Sequence, residues 1–182
     1  SKALAATLGT TGGVVVAGIL AYIVGTAAHL TGFTSQEAAA LLYIPQEVEF
    51  NIQGILFAGI IIGALGAVMD VGMSVASAME EIKRAHPGIR SGALFRAGMN
   101  VGRDVMGTMA NTLILAYTGA AIPLLLVFMA YQTPFTGIVN MDLIATEVVR
   151  AMAGSIGLVC CVPLTAAIST FLLKRSRSLE EK

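Results

Sequence analysis

Asp70 is the only charge in the apolar stretch from Phe50 to Met79. A carboxylate held in hydrocarbon costs roughly 2.5–3.5 kcal/mol on insertion scales and needs a protein or water partner, so an acid placed there is a candidate functional group by default. Helical spacing gives it company. Asp70, Ser74, Ser77 and Glu81 stand at i, i+4, i+7 and i+11, which is one face of a helix. Gly59, Gly63 and Gly66 lie upstream on nearly the same stripe, and small residues at such intervals let membrane helices approach closely. A second polar stripe follows Arg103: Asp104, Thr108, Asn111 and Thr112 fall within an arc of about 100° on a helix. If the two stripes face each other, Asp70 is buried against Thr108, Asn111 or Thr112.

Each feature also has a plainer reading. The glycines alone make a packing seam. Arg103 and Asp104 make an interfacial pair at a helix start, where an acid also suits the helix dipole. Asn111 and the threonines serve as hydrogen-bonding glue between helices. Packing does not require a carboxylate, however, so Asp70 is the position that the plainer readings explain least.

No other chemistry assembles. His29 and His86 sit far apart at segment ends, and the adjacent Cys160 and Cys161 lie in an apolar run, as lipid-facing or packed hydrophobes. There is no disulfide framework or zinc spacing. Nor is there a P-loop, a dinucleotide fingerprint or a GxSxG elbow, and the Gly-rich run from Gly9 to Gly18 lies inside a span, where it serves packing. No nucleophile–base pair, metal site or cofactor site can be built from the available side chains, so an enzyme is not expected.

The elements that must position these residues are membrane helices. Of 182 residues, 56% are hydrophobic and 12% charged, against about 25% charged in ordinary soluble domains. The net charge is zero, which leaves no basic surface for nucleic acid. Four apolar segments emerge, Ala3 to Leu30, Asn51 to Met79, Asp104 to Ala130 and Ala151 to Leu173. Each reaches the ~20 residues a bilayer core requires. The connection from span two to span three carries Lys83, Arg84, Arg90, Arg96 and Arg103, and Lys174, Arg175 and Arg177 follow span four. The other two connections hold Glu37, Glu47 and Glu49, and Asp142 and Glu147 with Arg150 at the end. Basic short loops stay cytoplasmic, so both termini and the middle loop are expected inside. Thr34-Ser35-Gln36-Glu37 fits a capping box before a short interfacial helix, Ala38 to Tyr43, ended near Pro45. Ser91 to Asn100 should begin a helix that runs into span three. The fold expected is an all-α polytopic membrane bundle, one transmembrane domain over residues 1–182, of four spans with short interfacial helices. The first residue is Ser1, so the chain reads as a fragment, a processed product or half of a larger unit.

Two stretches carry a resemblance. Gly63-Ala-Leu-Gly-Ala-Val-Met-Asp-Val-Gly-Met-Ser-Val-Ala-Ser77 and the run from Gly98 to Tyr117 are similar to signatures of the YibE/F family of bacterial membrane proteins, and the likeness extends loosely from Leu8 to Leu173. It implies a bacterial inner-membrane protein. A more distant likeness concerns the order of elements: a Gly-rich span, a polar turn, a span with Gly66-x-x-x-Asp70 ending in Glu-Glu-Ile-Lys-Arg, a basic inner helix, a span with Asp104, Asn111 and Thr112, and a closing span. That order resembles the last four helices of one half of SecD/SecF and other RND-type exporters. The resemblance implies that Asp70 titrates a proton, with Asn111 and Thr112 across from it. The chain departs from the exporter pattern at Gly107-Thr108, where the exporter run has its Asp; Asp104 comes about a turn earlier.

These readings lead to a proton-coupled transport or export-assisting component, completed in the bilayer by a homo-oligomer or a homologous second half. The alternative is a non-transporting membrane scaffold or receptor-like subunit, in which the polar stripes only fix helix packing.

Overall fold

Small residues at every fourth position decide where the first helix lies. In α1 (Lys2–Ala27) the line Gly9, Gly13, Ala17, Ala21 and Gly25 is buried, while Leu4, Leu8, Val15, Ile19 and Tyr22 point outward. The outward residues suit a helix solvated by lipid. The buried line lets another backbone come close, which is how helices associate where lipid tails are as apolar as leucine. The computed structural model describes residues 2–34 and 51–180. The capping box and the short helix expected near Ala38 to Tyr43 lie outside the described residues, apart from Thr34.

Three more long helices follow: α2 (Ile52–Ala85), α3 (Ser91–Ala130) and, after the single-turn α4 (Phe135–Val139), α5 (Asp142–Glu180). Asn51 caps α2 by accepting a hydrogen bond from the Gly54 amide at 2.8 Å. The other end of α2 carries Lys83 and Arg84, the charge sign that complements a helix C-terminus. Arg84 also pairs with Glu80 at 3.1 Å and Glu81 at 3.3 Å, contacts too exposed to matter much for stability. Pro123 and Pro163 sit inside α3 and α5, which stay continuous around them. The expected helix from Ser91 does run unbroken into span three.

One boundary differs from expectation. The acidic connection read as Tyr131 to Arg150 is shorter, because α5 already begins at Asp142. Glu147 and Arg150 pair at i, i+3 and are both about 70% buried along their side chains, so the charges that suggested a loop neutralise one another on a helix. Asp142 itself holds the chain end of α1: its carboxylate accepts hydrogen bonds from the Thr31 amide and hydroxyl. Beside it, Gln53 donates to the Leu30 carbonyl at 3.0 Å. Leu30 follows His29, which closes α1 at a positive φ of 53°, and is itself buried.

The four long helices alternate in direction. α1, α2 and α5 pack on one another as a triangle, and α3 lies along α2 and α5 on the side away from α1. The tightest joint is between α1 and α5. A β-carbon on Gly13 would stand 2.8 Å from the Gly157 carbonyl oxygen, and one on Gly157 would stand 2.8 Å from the Gly13 oxygen and 2.7 Å from the Ala17 β-carbon. The two backbones therefore touch, and only glycine fits on both sides. α2 fills the remaining groove with larger side chains: Val68, Val71, Val75 and Met79 form a core with Leu158, Cys161 and Val162 of α5. Cys161 is fully buried there, with its sulfur 3.5 Å from the Val68 carbonyl oxygen, in keeping with a packed hydrophobe.

Gly157→Val should therefore lower bundle stability by about 1–3 kcal/mol through overpacking, while Gly66→Val, which meets open space, should cost less than about 0.5 kcal/mol. Unfolding titrations in detergent check this, and equal effects at the two positions would contradict the crossing.

Candidate functional site

The buried line of α2 runs through Ala64, Val68, Val71 and Val75, and Asp70 stands on the opposite side of the helix. It is exposed, as are Gly59, Gly63, Gly66 and Ser74 on its stripe; Ser77 is half-buried and Glu81 exposed. On α3 the arrangement is similar. Leu94, Gly98 and Gly102 are buried toward α2 and α5, and Arg103, Asp104, Thr108, Asn111 and Thr112 are all exposed. The expected burial of Asp70 against Thr108, Asn111 or Thr112 is therefore not what the chain does. Both stripes turn out of the bundle because α2 and α3 meet through their apolar and glycine positions: Met79 packs on Gly98, and Val75 on Gly102.

The hydrogen bonds agree. The Thr108 hydroxyl donates to the Asp104 carbonyl at 3.3 Å, and the Thr112 hydroxyl to the Thr108 carbonyl at 3.1 Å, so both serve their own helix. Among the described residues, no hydrogen bond or ion pair reaches the side chain of Asp70, Asn111, Ser74 or Ser77, and none joins Arg103 to Asp104. The reading of Arg103–Asp104 as a pair is thus corrected: adjacent residues on a helix point about 100° apart. The glycine stripe of α2 is corrected as well. A β-carbon on Gly59 or Gly66 would meet nothing within 4 Å, and on Gly63 only the Tyr117 hydroxyl at 3.9 Å. Among the described residues, glycine meets glycine backbone to backbone at the α1/α5 joint, through Gly13 and Gly157.

The contacts between α2 and α3 set the depth of the two stripes. The helices run antiparallel, with Met79 beside Gly98 and Val75 beside Gly102. Equal steps from that register bring Asp70 level with Gly107, between Asp104 and Asn111. Asp70 also stands ten residues from Glu80, or roughly 15 Å along the helix, well inside the apolar part of the span. The carboxylate, the Asn111 amide and the Thr108 and Thr112 hydroxyls thus occupy neighbouring depths on the uncovered side of the α2/α3 pair.

Some polar groups are in places that periodicity did not single out. Thr10 of α1 and Thr165 of α5 are buried beside Cys161, the Thr165 hydroxyl lying 3.5 Å from its sulfur. The Thr146 and Ser169 hydroxyls are buried with no partner among the described residues. The Tyr117 hydroxyl lies between α2 and α5, 3.7 Å from where a β-carbon on Gly154 would stand. A threonine or a serine in an apolar helix gives no sequence signal of its own, since it can bond to the preceding turn wherever it points.

Four helices of this chain are long and apolar enough to cross a membrane, and large hydrophobic residues cover the outside of the bundle. The fold is that of a multi-pass α-helical membrane protein, with a polar face on two of its spans that has no partner among the described residues. The chain belongs to the YibE/F-like family, whose profile matches residues 1–175. No curated protein and no solved structure matches the chain closely enough to indicate a relationship.

With no partner among the described residues, Asp70→Asn and Asn111→Ala should each change stability in dilute detergent by less than about 0.5 kcal/mol. Thermal unfolding of the purified variants measures this; a loss several times larger would reveal an intrachain contact.

Proposed function

We propose that this YibE/F-like protein is a proton-coupled component of membrane transport or export, with Asp70 as the group that takes up and releases the proton. The observation that supports the reading is the placement of Asp70: a carboxylate in the apolar part of a span, without a partner among the described residues, level with the Asn111 and threonine stripe. Ionisable residues at such depth mark ion and proton pathways more often than packing sites. The resemblance of the order of elements to that of RND-type exporters points the same way. Ser74 and Ser77 would extend the path toward the end that carries Glu81, Lys83 and Arg84. Asp104, beside Arg103, would stand at its mouth on α3. By the positive-inside rule that end faces the cytoplasm, with both termini, in a bacterial inner membrane.

The second reading, a scaffold or receptor-like subunit without transport, is favoured by one specific feature: the glycines of the Asp70 stripe are open, as a docking seam requires. The two readings differ in what Asp70 does. In proteoliposomes under an imposed proton gradient, infrared difference spectra should show a protonated carboxyl band that Asp70→Asn removes, and proton uptake should fall to the level of empty liposomes in that variant. Unchanged uptake and an unchanged band would leave the scaffold reading standing.

A further inference from the structure

A carboxyl group facing lipid is not a resting arrangement, because acyl chains offer no hydrogen-bond partner and the placement is costly. Something must supply donors to Asp70, and the α2/α3 face shows what would fit. Its α2 side holds an acceptor, Asp70, between open glycines, Gly59, Gly63 and Gly66 on one side and the hydroxyls of Ser74 and Ser77 on the other. Its α3 side holds a free amide donor, Asn111, and hydroxyls at Thr108 and Thr112, around Gly107, where a β-carbon would again meet nothing within 4 Å. Acceptor and donors lie at the same depth, as the Val75–Gly102 register requires.

We propose that a second copy of this chain covers this face, related to the first by a two-fold axis along the membrane normal. Such an axis keeps every residue at its own depth. It therefore brings Asn111 and Thr108 of the partner subunit to the level of Asp70, and the contact repeats in reverse on the other half. A self-complementary patch is what an isologous dimer needs. The open glycines set how near the backbones come: α2 at Gly63 and Gly66 accepts the α3 ridge of the partner, where Leu115 is 70% exposed and extends the Thr108–Asn111 stripe by one turn. An unrelated partner would have to carry donors at this depth by coincidence, whereas this chain already has them. The inference does not depend on proton coupling, since a carboxyl group in lipid needs hydrogen-bond partners in either reading of the function.

Photo-crosslinking in intact membranes tests it. Two differently tagged full-length copies are co-expressed, one carrying benzoylphenylalanine at Leu115 or, as a control, at Ile19 on the exposed face of α1. Irradiation at Leu115 should give a band that carries both tags, and irradiation at Ile19 should not. In liposomes at low protein density, Asn111→Ala should weaken dimerisation by about threefold to tenfold, the worth of an interhelical hydrogen bond in membranes, and Asp70→Asn, which still accepts one, should weaken it less. The proposal is overturned if Leu115 captures only lipid or only another protein, if Ile19 captures the second copy equally well, or if Asn111→Ala leaves the dimer fraction unchanged. Dimers that persist in Asp70→Asn without proton uptake would support this assembly and the titrating role together; dimers with unchanged uptake would support the assembly and remove that role.

Discussion

The backbone contact between Gly13 and Gly157 sets the geometry of the rest of the bundle. In a bilayer no hydrophobic force draws helices together, so association rests on close van der Waals contact and on polar groups that find partners. The α1/α5 joint has both. Glycine and alanine line α1 at every fourth position, and Thr10, Cys161 and Thr165 sit beside the crossing as a small buried polar knot. Glycine in a helix costs up to about 1 kcal/mol of propensity relative to alanine. The many atom pairs that a backbone contact brings into van der Waals range offset it. With that joint closed, the groove left for α2 is wide, and α2 fills it with valines, an isoleucine and a methionine.

Two kinds of glycine stripe follow from this division. On α1 the glycines are filled by a neighbour to the limit of contact. On α2, Gly59 and Gly66 meet nothing within 4 Å, and the same holds for Gly107 and Gly119 on α3. Open glycines give up propensity with nothing inside the chain to compensate. Their coincidence with the uncovered acid and amide is economical only if another helix lies there, and this joins the glycines and Asp70 into one feature of the fold.

Much of the architecture was legible in the sequence, and the part that was not has a definite physical cause. Span number follows from the length of each apolar run, and α1, α2, α3 and α5 match the four runs. Which stripe turns inward is different. In a water-soluble helix the polar face is the outer face, so periodicity also orients the helix. In lipid the outside is apolar too, and the polar stripes with Asp70 and Asn111 had equal claim to the interior and to an interface beyond it. Gly9–Gly25 on α1 and Gly59–Gly66 on α2 likewise differ only in what lies opposite, which is a tertiary fact. The misplaced boundary at Asp142 has a similar origin. Glu147 and Arg150 look like loop charges one at a time but form a helical pair three residues apart.

The uncovered acid also joins assembly to chemistry. A carboxyl group facing lipid costs free energy until hydrogen-bond partners compensate it. In the proposed dimer Asp70 gains Asn111 and Thr108 of the partner subunit as such partners. That pairing would act on the α2/α3 face, while the Gly13–Gly157 joint between α1 and α5 stays closed. A bundle built this way has one seam closed within the chain and one face left open to a partner. The glycines divide accordingly: Gly13 and Gly157 are locked at the α1/α5 crossing and Gly72, Gly98 and Gly102 are packed inside, while Gly59, Gly66 and Gly107 are left open on the polar face.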